Sequence, residues 1–205
     1  MPTIVLDETL AESILAERRA KGNRTGEEVW DGVTYIMPLP NNEHQDIAYL
    51  FGLYFGLAVF LGGKGGRLQN TSNISDRIVG WNQNFRNPDF AYFCPDTDAD
   101  DQGTFWYGGP DFLLEIISPG DLSRDKLPFY ASIGTREVLI LDREPWQLEL
   151  YRLQDDEMEL AGTAKPGDKT TVKSEVVPLS FALVRGRPRP KIRITHTETA
   201  QEWTF

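Results

Sequence analysis

The amino-acid sequence predicts a single α/β domain in which a mixed sheet is flanked by helices. Three short apolar runs are typical of buried strands: Phe90 to Phe93, Phe112 to Ile117 and Val138 to Leu141. A helical pattern separates the last two runs, and the order strand, helix, strand favours a parallel crossover. A hairpin signal, Asp31-Gly32, lies upstream and adds antiparallel pairing. The length of 205 residues suits one domain with a sizeable core.

The first predicted element is an amphipathic helix from Asp7 to Lys21. Asp7 can cap its start, and Gly22 follows its end. The segment from Gly22 to Gly26 is predicted to be a loop. The apolar face of the helix is expected to contain Leu6, Leu10, Ile14 and Leu15.

A hairpin and a central helix are predicted next. Val29-Trp30 and Val33 to Ile36 flank Asp31-Gly32, a dipeptide that favours a tight type I′ turn. Asn41 or Asn42 can cap a helix from Glu43 to Leu61. That helix is apolar around most of its circumference, which predicts that it packs inside the protein.

The C-terminal half has a short helix and further strands. Ser123 or Asp121 can cap a helix that passes through Lys126 and ends at Gly134. Leu148 to Leu153 and Met158 to Ala161 are predicted to form a surface hairpin. The apolar residues beyond position 172 are expected to supply edge strands of the sheet. The predicted division is an N-terminal helical extension (1–26), a catalytic domain (27–184) and a C-terminal tail or edge strand (185–205).

Composition sets limits on partners and location. The chain has 31 acidic and 21 basic residues and a net charge of −10, which gives no global attraction to nucleic acid or to an anionic membrane. Alternating basic residues after position 184 suggest an extended edge segment or, as an alternative, a phosphate contact: Arg185, Arg187, Arg189, Lys191 and Arg193. No apolar run is expected to cross a bilayer, and no signal peptide is expected, so a cytoplasmic location is predicted.

Carboxylates in or beside two of the apolar strands are the main functional signal. Side chains alternate along a strand, so Asp111, Leu113 and Glu115 point to one face. If the strand from Phe90 pairs with this one, Asp89 also approaches Glu115. Clustered carboxylates repel one another unless a cation lies among them, and an all-oxygen site suits Mg²⁺ or Mn²⁺. Such an ion supports phosphodiester hydrolysis.

These segments resemble a known enzyme family. The sequence from Pro110 to Pro119, with Pro88-Asp89, Asp31-Gly32 and Lys126, is similar to the Uma-type restriction endonucleases of the PD-(D/E)XK superfamily. The resemblance covers about Glu27 to Arg152, with a weaker part from Ser174 to Val184. It implies a restriction-endonuclease-like fold with added edge hairpins, and an Mg²⁺- or Mn²⁺-dependent endonuclease activity on nucleic acid.

The resemblance also implies roles for individual residues. Asp89 corresponds to the metal-binding aspartate, and Glu115 to the second acidic ligand. Ile117 stands where the superfamily usually has lysine, and Lys126 on the next helix takes over that catalytic role. Glu28 and His44 fall at recurrent polar positions and are secondary candidates, together with Asp111.

Alternatives to this interpretation remain open on sequence alone. Asp89 can cap a turn, Glu115 can form a buried ion pair with an arginine, and Lys126 can be solvated. The tryptophans, Trp30, Trp81, Trp106 and Trp146, are interpreted as core or turn anchors. The protein can also be an inactive binding or scaffold member of the fold, or a hydrolase of a small phosphorylated compound. Cleavage of both strands of a duplex would require two sites, which favours a homodimer.

Overall fold

The computed structural model describes residues 2–21, 26–118 and 120–205. The described helices are α1 (Glu8–Ala20), α2 (Asn42–Leu61) and α3 (Leu127–Ser132), with 3₁₀ turns η1 (Trp81–Gln83) and η2 (Ser123–Lys126). The strands are β1 (Thr3–Val5), β2 (Glu27–Trp30), β3 (Val33–Ile36), β4 (Arg67–Gln69), β5 (Ile74–Ser75), β6 (Phe85–Arg86), β7 (Phe90–Phe93), β8 (Asp100–Asp101), β9 (Trp106–Tyr107), β10 (Phe112–Ile116), β11 (Glu137–Arg143), β12 (Trp146–Gln154), β13 (Glu157–Ala164), β14 (Val172–Lys173), β15 (Leu179–Val184), β16 (Lys191–His196) and β17 (Glu202–Thr204).

A six-stranded mixed sheet forms the centre of the fold. Its strand order is β13-β12-β11-β10-β7-β4, in which β10 and β11 are parallel and the other pairs are antiparallel. The connection between β10 and β11 runs through η2 and α3. This arrangement confirms the predicted α/β class, the mixed sheet and the parallel crossover.

Two further sheets pack around the central one. One has the order β1-β3-β2-β6-β5-β9-β8, and the other has the order β14-β15-β16-β17. The expectation that the C-terminal residues supply edge strands is correct for β14 and β17, but these are edges of a separate four-stranded sheet in which β15 and β16 are interior. Lys191–His196 forms an interior strand of that sheet, so the basic segment is not the predicted edge.

The predicted type I′ hairpin is confirmed by its backbone. The register pairs Val29 with Thr34 and Trp30 with Val33. Asp31 and Gly32 have φ angles of 46° and 84°, and a type I′ turn requires positive φ at both positions. The turn therefore fixes β2, on which Glu28 lies.

Helix α2 begins where the sequence predicts, but only one of its faces is buried. The Asn41 side chain accepts a hydrogen bond from the backbone N–H of His44 and so caps the helix. The buried face contains Ile47, Phe51, Phe55, Ala58 and Val59, whereas Tyr49, Leu53, Leu57, Phe60 and Leu61 are exposed. The prediction that the helix is enclosed on nearly all sides was therefore wrong.

The length and composition of α2 also correct the expectation about membrane spans. Within the described residues, this 20-residue helix is long and apolar enough to cross a bilayer. The core helix of a globular protein passes the same test, and Phe51 and Phe55 of α2 pack against Phe90, Phe112 and other sheet residues. The helix therefore serves here as the support of the central sheet.

The two faces of β10 belong to different apolar clusters. Phe112, Leu114 and Ile116 pack in the large core with α2 and the C-terminal sheet. Leu113 packs on the opposite face with residues of α3 and β11. Glu115 follows Leu113 on that face because side chains alternate.

Helix α1 is loosely attached. Asp7 caps it by accepting from Leu10 N, as predicted. Ala11 is its only buried residue apart from partly buried Ile14 and Leu15, whereas Leu6 and Leu10 are 80% and 53% exposed. The prediction of the apolar face was therefore correct for Ile14 and Leu15 and wrong for Leu6 and Leu10. The predicted loop from Gly22 to Gly26 lies, except for Gly26, outside the described residues.

Truncation of one phenylalanine on each face of α2 is expected to lower the free energy of unfolding by different amounts. Phe51 is fully buried and Phe60 is 49% exposed. We expect Phe51→Ala to lower the free energy of unfolding by about 3–5 kcal/mol, the usual range for a buried phenylalanine. Phe60→Ala, the same change on the same helix, should cost less than about 1 kcal/mol. Urea denaturation measures both, and equal losses would contradict the described packing.

Candidate active site

A cleft of about 1130 Å³ lies at the end of the central sheet. Its walls come from α1, the β2–β3 hairpin, the start of α2, the η1 region and the segment after β10. Five of the six carboxylate, lysine or histidine residues predicted for the site line it: Glu28, His44, Asp89, Glu115 and Lys126. The fold thus brings together side chains that are up to 98 positions apart in the sequence.

Strand pairing positions the two principal carboxylates. Strands β7 and β10 pair Phe90 with Leu114. One further step in this register places Asp89 opposite Glu115. The backbone N–H of Ile116 donates to Asp89 Oδ2 at 2.7 Å, which holds the aspartate against the end of β10.

Glu115 is enclosed by donors. Lys126 Nζ lies 3.0 Å from Glu115 Oε1, and the Tyr130 hydroxyl donates to the same oxygen. The Ser123 hydroxyl lies 3.3 Å from Glu115 Oε2, although its closer acceptor is Asp121 Oδ1. Burial in an ion pair, one alternative raised by the sequence, is therefore observed, but the partner is a lysine and not an arginine.

Lys126 is held between two carboxylates. Its ammonium lies 2.7 Å from Glu28 Oε1, and its side chain is only 6% exposed. Glu28 is fixed in turn, because it accepts from Asn87 N and from the indole N–H of Trp30. The alternative of a solvated Lys126 is excluded by this burial.

The buried groups have strongly shifted pKa values. Burial raises the pKa of Glu115 to about 8; the nearby Lys126 opposes this rise, and the charges of Asp89 and Glu28 add to it. Burial alone would lower the pKa of Lys126, but Glu115 and Glu28 outweigh it and hold that pKa above its ordinary value. Lys126 therefore remains a cation at neutral pH, whereas Glu115 can titrate there.

His44 contacts the second carboxylate. Its Nε2 lies 2.8 Å from Asp89 Oδ1, an arrangement in which Nε2 carries the hydrogen and donates it. His44 Nδ1 is buried and has no hydrogen-bond partner in the described structure. With the N–H of Ile116, His44 fixes both oxygens of Asp89.

Arg143 connects the start of α2 to the end of β10. Its guanidinium donates to Ile117 O, Ser118 Oγ and Glu43 Oε2 at distances of 2.9–3.1 Å. The arginine side chain is 8% exposed and lines the cleft. It therefore ties the helix turn that carries His44 to the strand that carries Glu115. The sequence analysis missed Arg143, because only the folded chain brings position 143 to position 43.

Asp111, the remaining secondary candidate, is not in the cleft. It lies four residues before Glu115, roughly 13 Å away along an extended strand. Its carboxylate accepts from Cys94 N and from Arg136. The shared face predicted from alternation therefore does not make Asp111 part of the cluster, because the distance along the strand separates them.

The donor set fits a divalent cation. No group of three or more His, Cys, Asp and Glu side chains with the arrangement of a metal site occurs in residues 2–21, 26–118 and 120–205. Mg²⁺, however, is commonly held by one or two carboxylates with waters and substrate phosphates. Glu28 and Glu115 share the single ammonium of Lys126 here, and Asp89 adds a third carboxylate that, among the described residues, is bonded only to His44 and to the N–H of Ile116, so the carboxylates outnumber the cation.

Comparisons with known proteins identify the family and the fold. A sequence profile of the Uma2 family, described as "Putative restriction endonuclease", matches residues 18–184. A solved structure, "a putative nuclease belonging to DUF820 from Anabaena variabilis", is similar with a TM-score of 0.53 and 19% identity. The match covers 65% of this chain and 75% of the other. This likeness supports the restriction-endonuclease-like fold. No curated protein matches.

The raised pKa of Glu115 predicts a pH dependence of stability. A carboxyl group with a folded pKa of about 8 and an ordinary value of 4.5 stabilises the fold at low pH and loses that contribution as the pH rises to about 8. With a chelator present, we expect the free energy of unfolding of the wild type to fall, relative to Glu115→Gln, by up to about 1.4 kcal/mol per pH unit between pH 5 and 8.

Glu149→Gln provides a control of opposite sign. Burial raises the pKa of Glu149, but hydrogen bonds from Arg124 and Tyr151 outweigh it and keep the pKa below its ordinary value. The stabilisation from Glu149 is thus present at neutral pH and lost as the pH falls through the lowered pKa. Urea denaturation tests both variants: between pH 5 and 8 the curves of wild type and Glu149→Gln should stay parallel and should converge only below the ordinary pKa of 4.5, whereas parallel curves for wild type and Glu115→Gln between pH 5 and 8 would contradict the assignment.

Proposed function

This chain belongs to the Uma2 family, and on that premise we propose that it is a metal-dependent endonuclease that hydrolyses phosphodiester bonds of nucleic acid. Membership in a family described as restriction endonucleases supports a nuclease-type function. The observation that carries the proposal is the convergence of Asp89, Glu115 and Lys126 in one cleft. These are the three residues to which the sequence resemblance gave catalytic roles.

Asp89 and Glu115 are the proposed metal ligands. They lie opposite each other on paired strands, and each presents a carboxylate to the cleft. Carboxylate oxygens are hard donors, and hard divalent cations such as Mg²⁺ prefer them. When bound, Mg²⁺ or Mn²⁺ supplies an acidified water and neutralises negative charge on the phosphate.

Lys126 acts in this proposal as a fixed positive charge. Its pKa is held above its ordinary value, so it does not serve as a base. An ammonium in a buried position stabilises charge that develops on a nearby phosphate oxygen more strongly than one in water. Glu28 is a positioning residue for Lys126, since its carboxylate contacts the ammonium and is itself fixed by Trp30.

Glu115 would have to be ionised to bind the metal ion. Because burial raises its pKa to about 8 in the metal-free protein, a proton and the metal ion would compete for this carboxylate near neutral pH. His44 and Ile116 N–H hold Asp89 in place, so that this carboxylate does not need to reorganise when it binds an ion.

Substitution of the three central residues is expected to abolish cleavage. Asp89→Asn, Glu115→Gln and Lys126→Met should each lower kcat for a fluorescent oligonucleotide in Mg²⁺ or Mn²⁺ by roughly 10²-fold or more. Calorimetric titration should give measurable heat of Mn²⁺ binding for wild type and Lys126→Met. It should give much weaker binding for Asp89→Asn and Glu115→Gln.

Glu137→Gln is the matched control. Glu137 is a buried carboxylate on β11, bonded to Arg152 and Ser174 and remote from the cleft. This variant should keep wild-type kcat and Mn²⁺ affinity even if its melting temperature falls. The nuclease proposal is refuted if pure wild type binds Mn²⁺ but leaves plasmid, single-stranded DNA and RNA intact. Release of phosphate from small phosphoesters alone would favour a different hydrolase.

A further inference from the structure

One side of the cleft is formed by α1, most of which precedes the residues that the family profile matches. Residues of α1, including Glu8 and Glu12, line it, whereas the match begins at residue 18. Residues of η1, Trp81 to Gln83, line the same cleft. Gln83 Nε2 donates to Glu8 Oε1 at 3.3 Å and so joins these two parts of the lining.

Among the described residues, the cations of the cleft are already paired. Lys126 contacts Glu28 and Glu115. Arg143 contacts Glu43, and Arg19 contacts Glu27. The lining carboxylates are more numerous: Glu8, Glu12, Glu27, Glu28, Asp89, Glu115 and Asp121. A duplex-binding protein gains most of its affinity from several phosphate contacts by lysine and arginine, whereas the described part of this lining has three such side chains, each already paired with a carboxylate.

The lining does offer an aromatic ring and amides. Trp81 is half-buried, and its ring stacks on Phe105 with a centroid separation of 4.6 Å and an interplanar angle of 10°. Asn82 beside it is exposed. Unpaired bases stack on such rings, and amide groups can hydrogen-bond to their edges.

The volume of the cleft also favours a single strand over a duplex. Its volume of about 1130 Å³ is close to that of a small-molecule pocket, about 300–1,000 Å³. A few unpaired nucleotides fit such a space, whereas a duplex also needs room for its second strand.

We infer that the cleft binds an unpaired nucleic-acid strand, with a base stacked on Trp81 and few contacts to phosphate. The inference deepens the proposed nuclease function, on which it rests, by naming single-stranded DNA or RNA as the substrate class. The strand is recognised through its bases, and the bound ion and Lys126 contact the phosphate to be cleaved.

Binding of labelled 12-residue oligothymidine and oligouridine tests the inference. The protein is the intact Asp89→Asn chain, which should be inactive, and fluorescence anisotropy gives Kd at several salt concentrations. We expect a slope of log K against log salt no steeper than about −1.4, the value for two phosphate contacts to a single strand. A 12-base-pair duplex should bind at least tenfold more weakly than the single strands.

Two variants test the position of the strand. Trp81→Ala should weaken binding of single strands by roughly tenfold to 100-fold, the range for loss of one stacked base. Tyr107→Ala, an exposed aromatic outside the cleft, should change nothing. Asn82→Lys is an exposed substitution that should not affect folding. It should tighten binding and steepen the slope by about 0.7, because it adds one phosphate contact.

The outcomes separate the inference from the proposed function. Equal or tighter binding of the duplex, a steep salt slope, or an unchanged slope in Asn82→Lys overturns the inference. If the wild type nevertheless cleaves nucleic acid in Mn²⁺, the nuclease proposal stands. If single strands bind as expected but the wild type cleaves none of them, the nuclease proposal fails and the binding site stands.

Discussion

The ammonium of Lys126 between Glu28 and Glu115 is the interaction on which the site depends. Transfer of a charge into a protein interior costs several kcal/mol unless it is paired, and all three side chains are buried. The partners come from β2, from β10 and from η2, which belong to two sheets and the crossover between the parallel strands. None of these elements can separate from the others without leaving an uncompensated buried charge. The triad of Glu28, Lys126 and Glu115 therefore fixes their relative positions.

The triad also explains why the site favours a cation. Glu28 and Glu115 share one ammonium, and Asp89 adds a third carboxylate whose oxygens are held by His44 and Ile116 N–H. These neutral donors orient Asp89 without cancelling its charge. Protonation of Glu115 is one way to relieve the excess of negative charge; burial is the main cause of its raised pKa, and the charges of Asp89 and Glu28 add to it. Binding of a divalent ion is the other way, so metal and proton compete for the same carboxylate.

The sequence could predict those parts of the site that follow from local rules. Alternation along β10 and antiparallel pairing with β7 were enough to place Asp89 near Glu115. Lys126 could be proposed only from the family resemblance, because its reach depends on how η2 leaves the sheet. The apolar pattern likewise predicted strands in the C-terminal region. It did not predict which strands pair, because the pattern of one strand does not depend on which strand lies beside it. The sequence suggested only an anchoring role for Trp81, because its place in the lining of the cleft depends on how the fold positions η1.

The net charge of −10 can then be reconciled with a polyanionic substrate. A protein that binds the phosphates of a duplex needs a basic surface, and here Lys126, Arg143 and Arg19 are each paired with carboxylates in the cleft. Stacking on an aromatic ring does not depend on the sign of the protein's charge, and it is nearly insensitive to salt. If the inferred single strand binds here, the acidic walls would oppose the two closely spaced phosphate chains of a duplex more than a single chain held by its bases. In the proposed function, the same carboxylates would also attract the metal ion, so one feature of composition would serve both selectivity and catalysis.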